Sequence, residues 1–334
     1  MTGRGAAVGL AVLLGVAAPG AAATHLLVVS GLGGDETYSA SFHEWSLNMI
    51  DGALAAGVPL SNVMYLAEDP SRDERRIAGD SRKATIESTL RTMGDGAGAD
   101  GELWIVIFGH GSARGGEATV NLPGPDLSGG ELAAILDTLP PRRIVVVNAS
   151  SASGEFVRLL SAPGRAIVTA TRSVTERHAP VFGKYFSESF VDNQADLDKD
   201  GRVSLLEAFE YARAAVERFF EGDQRLRTEH ALLDDDGDGR GSMTPAPAGE
   251  GDGVVASRLF LGDRSAIQAA DASPELRRLR ERKDELEERI AELRARRGSL
   301  EEGLYLEELE TLLLDLARTN QQIERLAAPA EESS

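Results

Sequence analysis

Short runs that are apolar without interruption, each followed by an amphipathic stretch, constrain this chain more than anything else in it. Residues 26–30, 62–66, 103–108, 144–148 and 166–170 read as strands, and residues near 39–55, 83–93, 130–139 and 154–160 carry helical spacing. A strand apolar on both faces has to be covered on both faces. The alternation therefore predicts an α/β fold, a parallel sheet with helices on either side. In such sheets ligands and chemistry collect in the crevice at the carboxyl ends of the strands. Two turns fall at those ends: Gly109-His110-Gly111, and the small-residue run from Asn148 through Ser150 and Ser151 to Gly154.

A glycine-flanked histidine after a strand is by itself an ordinary turn, in which the glycines supply backbone freedom. Its pairing with the second turn is more specific. A hydrophobic strand ending in His110-Gly111, then another ending in Ser151-Ala152-Ser153-Gly154, resembles the legumain and caspase-like cysteine peptidases. There one strand delivers the catalytic histidine and the next delivers the cysteine of a Cys-x-Ser-Gly turn. The resemblance covers residues 25–195 or so and implies a caspase/haemoglobinase-like sheet. It implies His110 and Gly111 at the histidine turn, and Ser151 (or its neighbour Ser150) at the nucleophile position. Backbone N–H groups of the Ser-Gly turn and the following helix would form the oxyanion hole.

The chain has no cysteine at all. A cysteine works because part of it is thiolate near neutral pH, whereas a serine hydroxyl needs a base in hydrogen-bond reach, itself oriented by a third group. Neither Ser150 nor Ser151 lies in a Gly-x-Ser-x-Gly elbow. The expectation is a pseudoenzyme that binds a polypeptide or protein partner in the old cleft. The alternative is an active hydrolase using Ser151 with His110. The family's basic substrate-binding residues after the first strand are not matched either: the loop here, residues 31–36, ends in Asp35-Glu36. It also fails as a dinucleotide fingerprint, because Glu36 stands where the third glycine belongs. His25, His43, His178 and His230 show no metal-ligand spacing and read as structural or solvent-facing.

Residues 196–207 match the twelve-residue EF-hand loop position by position. Asp196, Asp198 and Asp200 stand at one, three and five, Gly201 at six, Arg202 (through its carbonyl) at seven, Ser204 at nine and Glu207 at twelve. A hard cation with six to eight oxygen ligands requires that density of carboxylates, so calcium is the expected ion. Asp234, Asp236, Asp238 and Ser242 resemble a second, weaker loop, weaker because its twelfth position is Pro245.

At the amino end, Arg4 precedes an apolar core over residues 6–18 that is too short to span a bilayer, and Ala21-Ala22-Ala23 offers a cleavage site. This predicts an exported protein, periplasmic or extracellular, with no membrane span once the signal is removed. No disulfide can stabilise it. With 54 acidic against 35 basic residues and a net charge of −19, the chain would repel nucleic acid. At the other end, Leu276, Leu279, Leu286, Ile290 and Leu293, then Leu306, Leu309, Leu313, Leu316 and Ile323, predict an α-helical hairpin or coiled coil. Ser273-Pro274-Glu275 caps its first helix and the box Ser299 to Glu302 its second. The hairpin is a candidate docking or homo-oligomer element. The expected division is 1–23 signal peptide, 24–190 α/β domain, 191–263 calcium-binding segment and domain completion, 264–272 linker, 273–328 hairpin and 329–334 disordered tail.

Overall fold

The central strands are apolar on both faces because each sends side chains into two separate cores. The computed structural model describes residues 23–262 apart from Gly115, Gly116, Arg142, Asp223 and Arg225, together with 274–295 and 302–327. Its strands are β1 (Thr24–Ser30), β2 (Val63–Ala67), β3 (Gly79–Asp80), β4 (Glu102–Phe108), β5 (Gly111–Arg114), β6 (Glu117–Val120), β7 (Leu127–Ser128), β8 (Arg143–Asn148), β9 (Arg165–Thr169) and β10 (Leu232–Asp234). Helices α1 (Glu36–Ala55), α2 (Lys83–Ala97), α3 (Gly129–Leu136), α4 (Glu155–Leu160), α5 (Phe182–Ser189) and α6 (Leu205–Gly222) lie among them. Two more, α7 (Pro274–Ala295) and α8 (Glu302–Ala327), follow.

The main sheet has seven strands in the order β10-β9-β8-β4-β1-β2-β3. All pairings in it are parallel except that of β10, which runs antiparallel to β9. Leu26, Val28, Trp104, Val106 and Val147 point to the core beneath α1, α5 and α6, against Met49, Phe186 and Phe209. The intervening Leu27, Val29, Ile105 and Val146 point to the opposite core, against Leu90 of α2, Leu132 of α3 and Phe156 of α4. That period of two is the pleat itself.

Local signals start the helices. Asp35 accepts a hydrogen bond from the Tyr38 N–H at the head of α1, and Ser128 forms a capping box with Glu131 at the head of α3. The strand order reverses between β1 and β4, since β1 leads outward to β2 and β4 leads the other way to β8. The crevice at their carboxyl ends is the switch point where open α/β sheets place their sites.

Several elements differ from expectation. The edge strand β10 and the small antiparallel sheet β5-β6-β7 consist of pieces two to four residues long, too short to show a period. Residues 254–261, apolar at intervals like a short strand, make a single bridge among the described residues, between Ser204 and Phe260. The Asp235 carboxylate takes the N–H groups of Gly253 and Ala256 there, bending the chain into a 3-10 turn at Ala256–Arg258.

Helices α7 and α8 pack through Leu286, Ile290, Leu293, Tyr305 and Leu312, with Leu309 and Leu316 partly buried. The seam on α8 thus runs 305, 309, 312, 316. Leu306 and Leu313, expected in it, are 55% and 42% exposed. So many leucines lie on this helix that its stripe can be read one residue out of phase, and Tyr305 settles the phase. Of the expected signal peptide 1–23 all but Ala23 lies outside the described residues, as do the expected linker 264–272, Ser273, the cap residues 298–301 and the expected tail 329–334. Among those described, no helix is long and apolar enough to cross a membrane.

Candidate functional site: strand-end turns and acidic loops

His110 leaves the end of β4 at the switch point, as the sequence predicts. Its ring stands edge-on to Tyr38 and Phe42 of α1, with centroids 4.6 and 5.4 Å away. Its Nε2 lies 3.1 Å from the carbonyl oxygen of Gly33. A carbonyl only accepts, so Nε2 carries the proton and is no base on that side.

Ser151, at the nucleophile position, is 2% exposed. Its Oγ accepts from the Gly111 N–H at 3.0 Å and donates to the Gly111 carbonyl at 3.1 Å. No hydrogen bond joins it to His110. Ser150 is also buried and donates to Asn148 Oδ1 at 2.7 Å. The approach of the two turns is so close that a Cβ on Gly111 would sit 2.1 Å from the Ser151 carbonyl oxygen.

Three N–H groups of the turn that could line an oxyanion hole have partners already. That of Ser150 goes to Asn148 Oδ1, that of Ala152 to the Glu176 carbonyl, and that of Gly154 to Thr171 Oγ1. Ala152 holds φ at 56°, a left-handed conformation uncommon without glycine.

A cavity of about 130 Å³ opens past the end of β9, lined by Ala170, Phe182, Arg213, Glu229, His230 and Met243 among others. Glu176 ties it to the turn, holding Ala152 through its carbonyl and His230 Nδ1 through its carboxylate at 2.6 Å. Glu229 Oε2 accepts from the Val181 N–H at 2.9 Å, while its other oxygen is buried without a partner. Burial pushes this carboxyl up to about 8, so it is mostly neutral at pH 7. No sequence signal marks Glu229 or Arg213; chain packing alone brings them together.

In the loop over residues 196–207, one carboxylate oxygen each from Asp196, Asp198 and Glu207 lies within 4.8 Å of the others. Gly201, with φ of 85°, turns its N–H onto Asp196 Oδ2 at 2.8 Å. Glu207, in the first turn of α6, accepts from the N–H groups of Leu197, Asp198 and Ser204 and from Ser204 Oγ. Burial, then the neighbouring carboxylates Asp200 and Asp198, raise Asp196 above the usual range. Burial does the same to Glu207.

Asp200 stands apart from this trio. Its Oδ2 is held by the Arg202 guanidinium at 3.1 Å and by Lys283 of α7 at 3.8 Å. Arg202 also stacks over the Phe260 ring. A cavity of about 120 Å³ lies between this loop and the helix pair, lined by Asp198, Asp200, Lys283, Asn320 and others.

The second acidic loop is built otherwise than its spacing predicts. Asp234 and Asp236 come together with Asp252, which the sequence reading did not include. Asp238 instead points outward and accepts from the Arg240 N–H, and Ser242 bridges Leu233 through its backbone while its hydroxyl accepts from Thr244. The tight Asp-Gly-Asp-Gly turn accounts for this, since the bridge between Leu233 and Ser242 closes the loop at its ninth position, before the twelfth is reached.

No known protein family matches the chain, and no curated protein matches it. Among solved structures it is similar to protein GSU0716 from Geobacter sulfurreducens, at 12% identity and a TM-score of 0.42, over 63% of this chain and 92% of that one. A likeness so slight carries no argument about function.

Proposed function

We propose that this chain is an exported calcium-binding protein whose legumain/caspase-like domain no longer cleaves peptides and instead binds a polypeptide. The observation that carries the reading is the hydrogen-bond closure of the strand-end turns. Ser151 gives its only proton to the Gly111 carbonyl, and His110 faces Gly33. A nucleophile and base so arranged cannot hand over a proton without rebuilding both turns. The cleft remains: the cavity beside β9 has room for one side chain, with apolar walls and the polar ends of Arg213 and Glu229 for orientation.

Calcium belongs to the loop over residues 196–207, read as an EF-hand. The donors there are all oxygen, three carboxylates converge, and the Asp196 to Gly201 bond supplies the sharp turn the motif needs. A bound calcium ion would supply positive charge where the chain's own carboxylates repel one another. Asp196, Asp198 and Glu207 would hold it, with Asp200 available only on leaving Arg202 and Lys283. Because that lysine lies on α7, the helical hairpin touches the calcium loop of its own chain.

The test is peptide turnover with purified protein. The wild type should show none, and Ser151→Cys should regain little because the turn stays closed. Cleavage by the wild type that His110→Ala or Ser151→Ala abolishes would make the chain an active serine hydrolase.

A further inference from the structure

The second acidic loop is not a failed copy of the first. We propose that Asp234, Asp236 and Asp252 form a second divalent-cation site, for calcium, closed from the far side of a glycine-rich turn. It shares no residue with the loop over residues 196–207 and does not depend on that loop being occupied.

One carboxylate oxygen from each of the three residues lies within 4.8 Å of the other two. Such clusters are common on protein surfaces, so convergence alone decides nothing. The deciding observation is Asp234, whose relative exposure is 0%. Its Oδ1 accepts from Ser161 Oγ at 3.2 Å and from the Gly237 N–H at 3.3 Å. Its Oδ2 is buried and has no hydrogen-bond partner. A buried carboxylate oxygen without a donor is costly, and a cation is the partner its neighbours suggest.

The surroundings explain why the closing carboxylate comes from residue 252. Asp235 accepts from the N–H groups of Gly253 and Ala256 at 2.9 and 2.6 Å, fastening that turn to the end of β10. Asp252 answers by accepting from the Asp235 N–H at 3.1 Å, and its carbonyl takes the Ala246 N–H. The bidentate residue that an EF-hand would carry at its twelfth position is thus replaced by one delivered across the turn. No cationic side chain forms an ion pair with any of the three among the described residues, in contrast to Asp200, which has Arg202 and Lys283. Hard carboxylate oxygens in an irregular cage suit calcium, whereas magnesium demands near-octahedral geometry.

Calorimetric titration of the chelator-stripped full chain with calcium chloride tests this. The wild type should bind two ions. Glu207→Gln, which disables the first loop, should still bind one, and adding Asp252→Asn to it should abolish that one or weaken it at least tenfold. Asp236→Asn, at an exposed position, should weaken the same ion and serves if the Asp252 variant fails to fold, as judged by circular dichroism. Overturning results are a Glu207→Gln protein that binds no ion, or Asp252→Asn and Asp236→Asn proteins that bind as many ions as the wild type. Occupation of this site by magnesium at equal affinity would overturn the calcium assignment. Loss of the Glu207-dependent ion alone would strike the first loop and leave this site standing.

Discussion

The turns at the ends of β4 and β8 and the acidic loop before α6 both gather polar groups at a place where chemistry could occur, and they differ in what is left over. At the turns the groups that chemistry would need are already engaged: the Ser151 hydroxyl, the His110 Nε2 and the N–H groups of Ser150, Ala152 and Gly154 all have partners within the chain, and only the Asn148 side-chain amide nitrogen is buried there without one. In the loop, Asp196, Asp198 and Glu207 have backbone donors but an excess of negative charge with no cation among them. A site closed by its own hydrogen bonds gains stability and loses reactivity. A site with uncompensated charge gives up stability until a ligand arrives, and gets it back by mass action.

The contrast can be broken at its tightest contact first. Gly111→Ala drives a Cβ into the Ser151 carbonyl, which is backbone and cannot rotate away. It should cost about 3 kcal/mol by overpacking, read as a lowered urea midpoint. An unchanged midpoint would show that the two turns are not locked together.

Calcium removal comes next. At a hundredfold excess over its dissociation constant, one ion stabilises the folded chain by about 2.7 kcal/mol, so chelator should lower the melting temperature by roughly 5 °C or more. Glu207→Gln should erase most of that difference. Equal melting curves with and without chelator would mean that the loop binds nothing.

Ser151→Ala should cost about 1–2 kcal/mol, because it strips a partner from the half-buried Gly111 N–H without opening a large cavity. A stabilised variant would instead suggest a serine kept for catalysis at the expense of stability. Glu229 supplies a pH signature for the neighbouring cavity. Its folded pKa of about 8 lies above the ordinary 4.5, so the folded chain holds this proton more tightly than the unfolded one. Stability should therefore fall as pH rises from about 4.5 through 8, and Glu229→Gln should flatten that slope. A variant with the slope of the wild type would assign it elsewhere. The smallest effect concerns Lys283. Lys283→Gln removes one of the two cations on Asp200, Arg202 staying in place, and should raise calcium affinity about three- to tenfold. Unchanged affinity would uncouple the helix pair from the loop.

What could be read from the residues follows from how local each cause is. The parallel sheet was legible because burial on two faces is written into runs such as 103–108 and 144–148. The convergence of Asp196, Asp198 and Glu207 was legible because one turn and one helix start deliver all three. Asp252 was not, since the Asp235 clamp that delivers it involves groups 18 and 21 residues apart. Nor was the closure of the Ser151 turn, because it depends on how near two strand ends come and not on which residues they carry. Phase on α8 was misread where leucines crowd both faces, and β10 was too short to announce itself.

The measurement that bears most directly on the contrast is exposure of the purified full chain, with and without calcium, to a serine-reactive acylating probe, followed by intact-mass spectrometry. A closed turn predicts the unmodified mass in both conditions, since the Ser151 hydroxyl is buried and donates to Gly111. A single added acyl group that disappears in Ser151→Ala and in His110→Ala would contradict the account and make the strand ends a working active site.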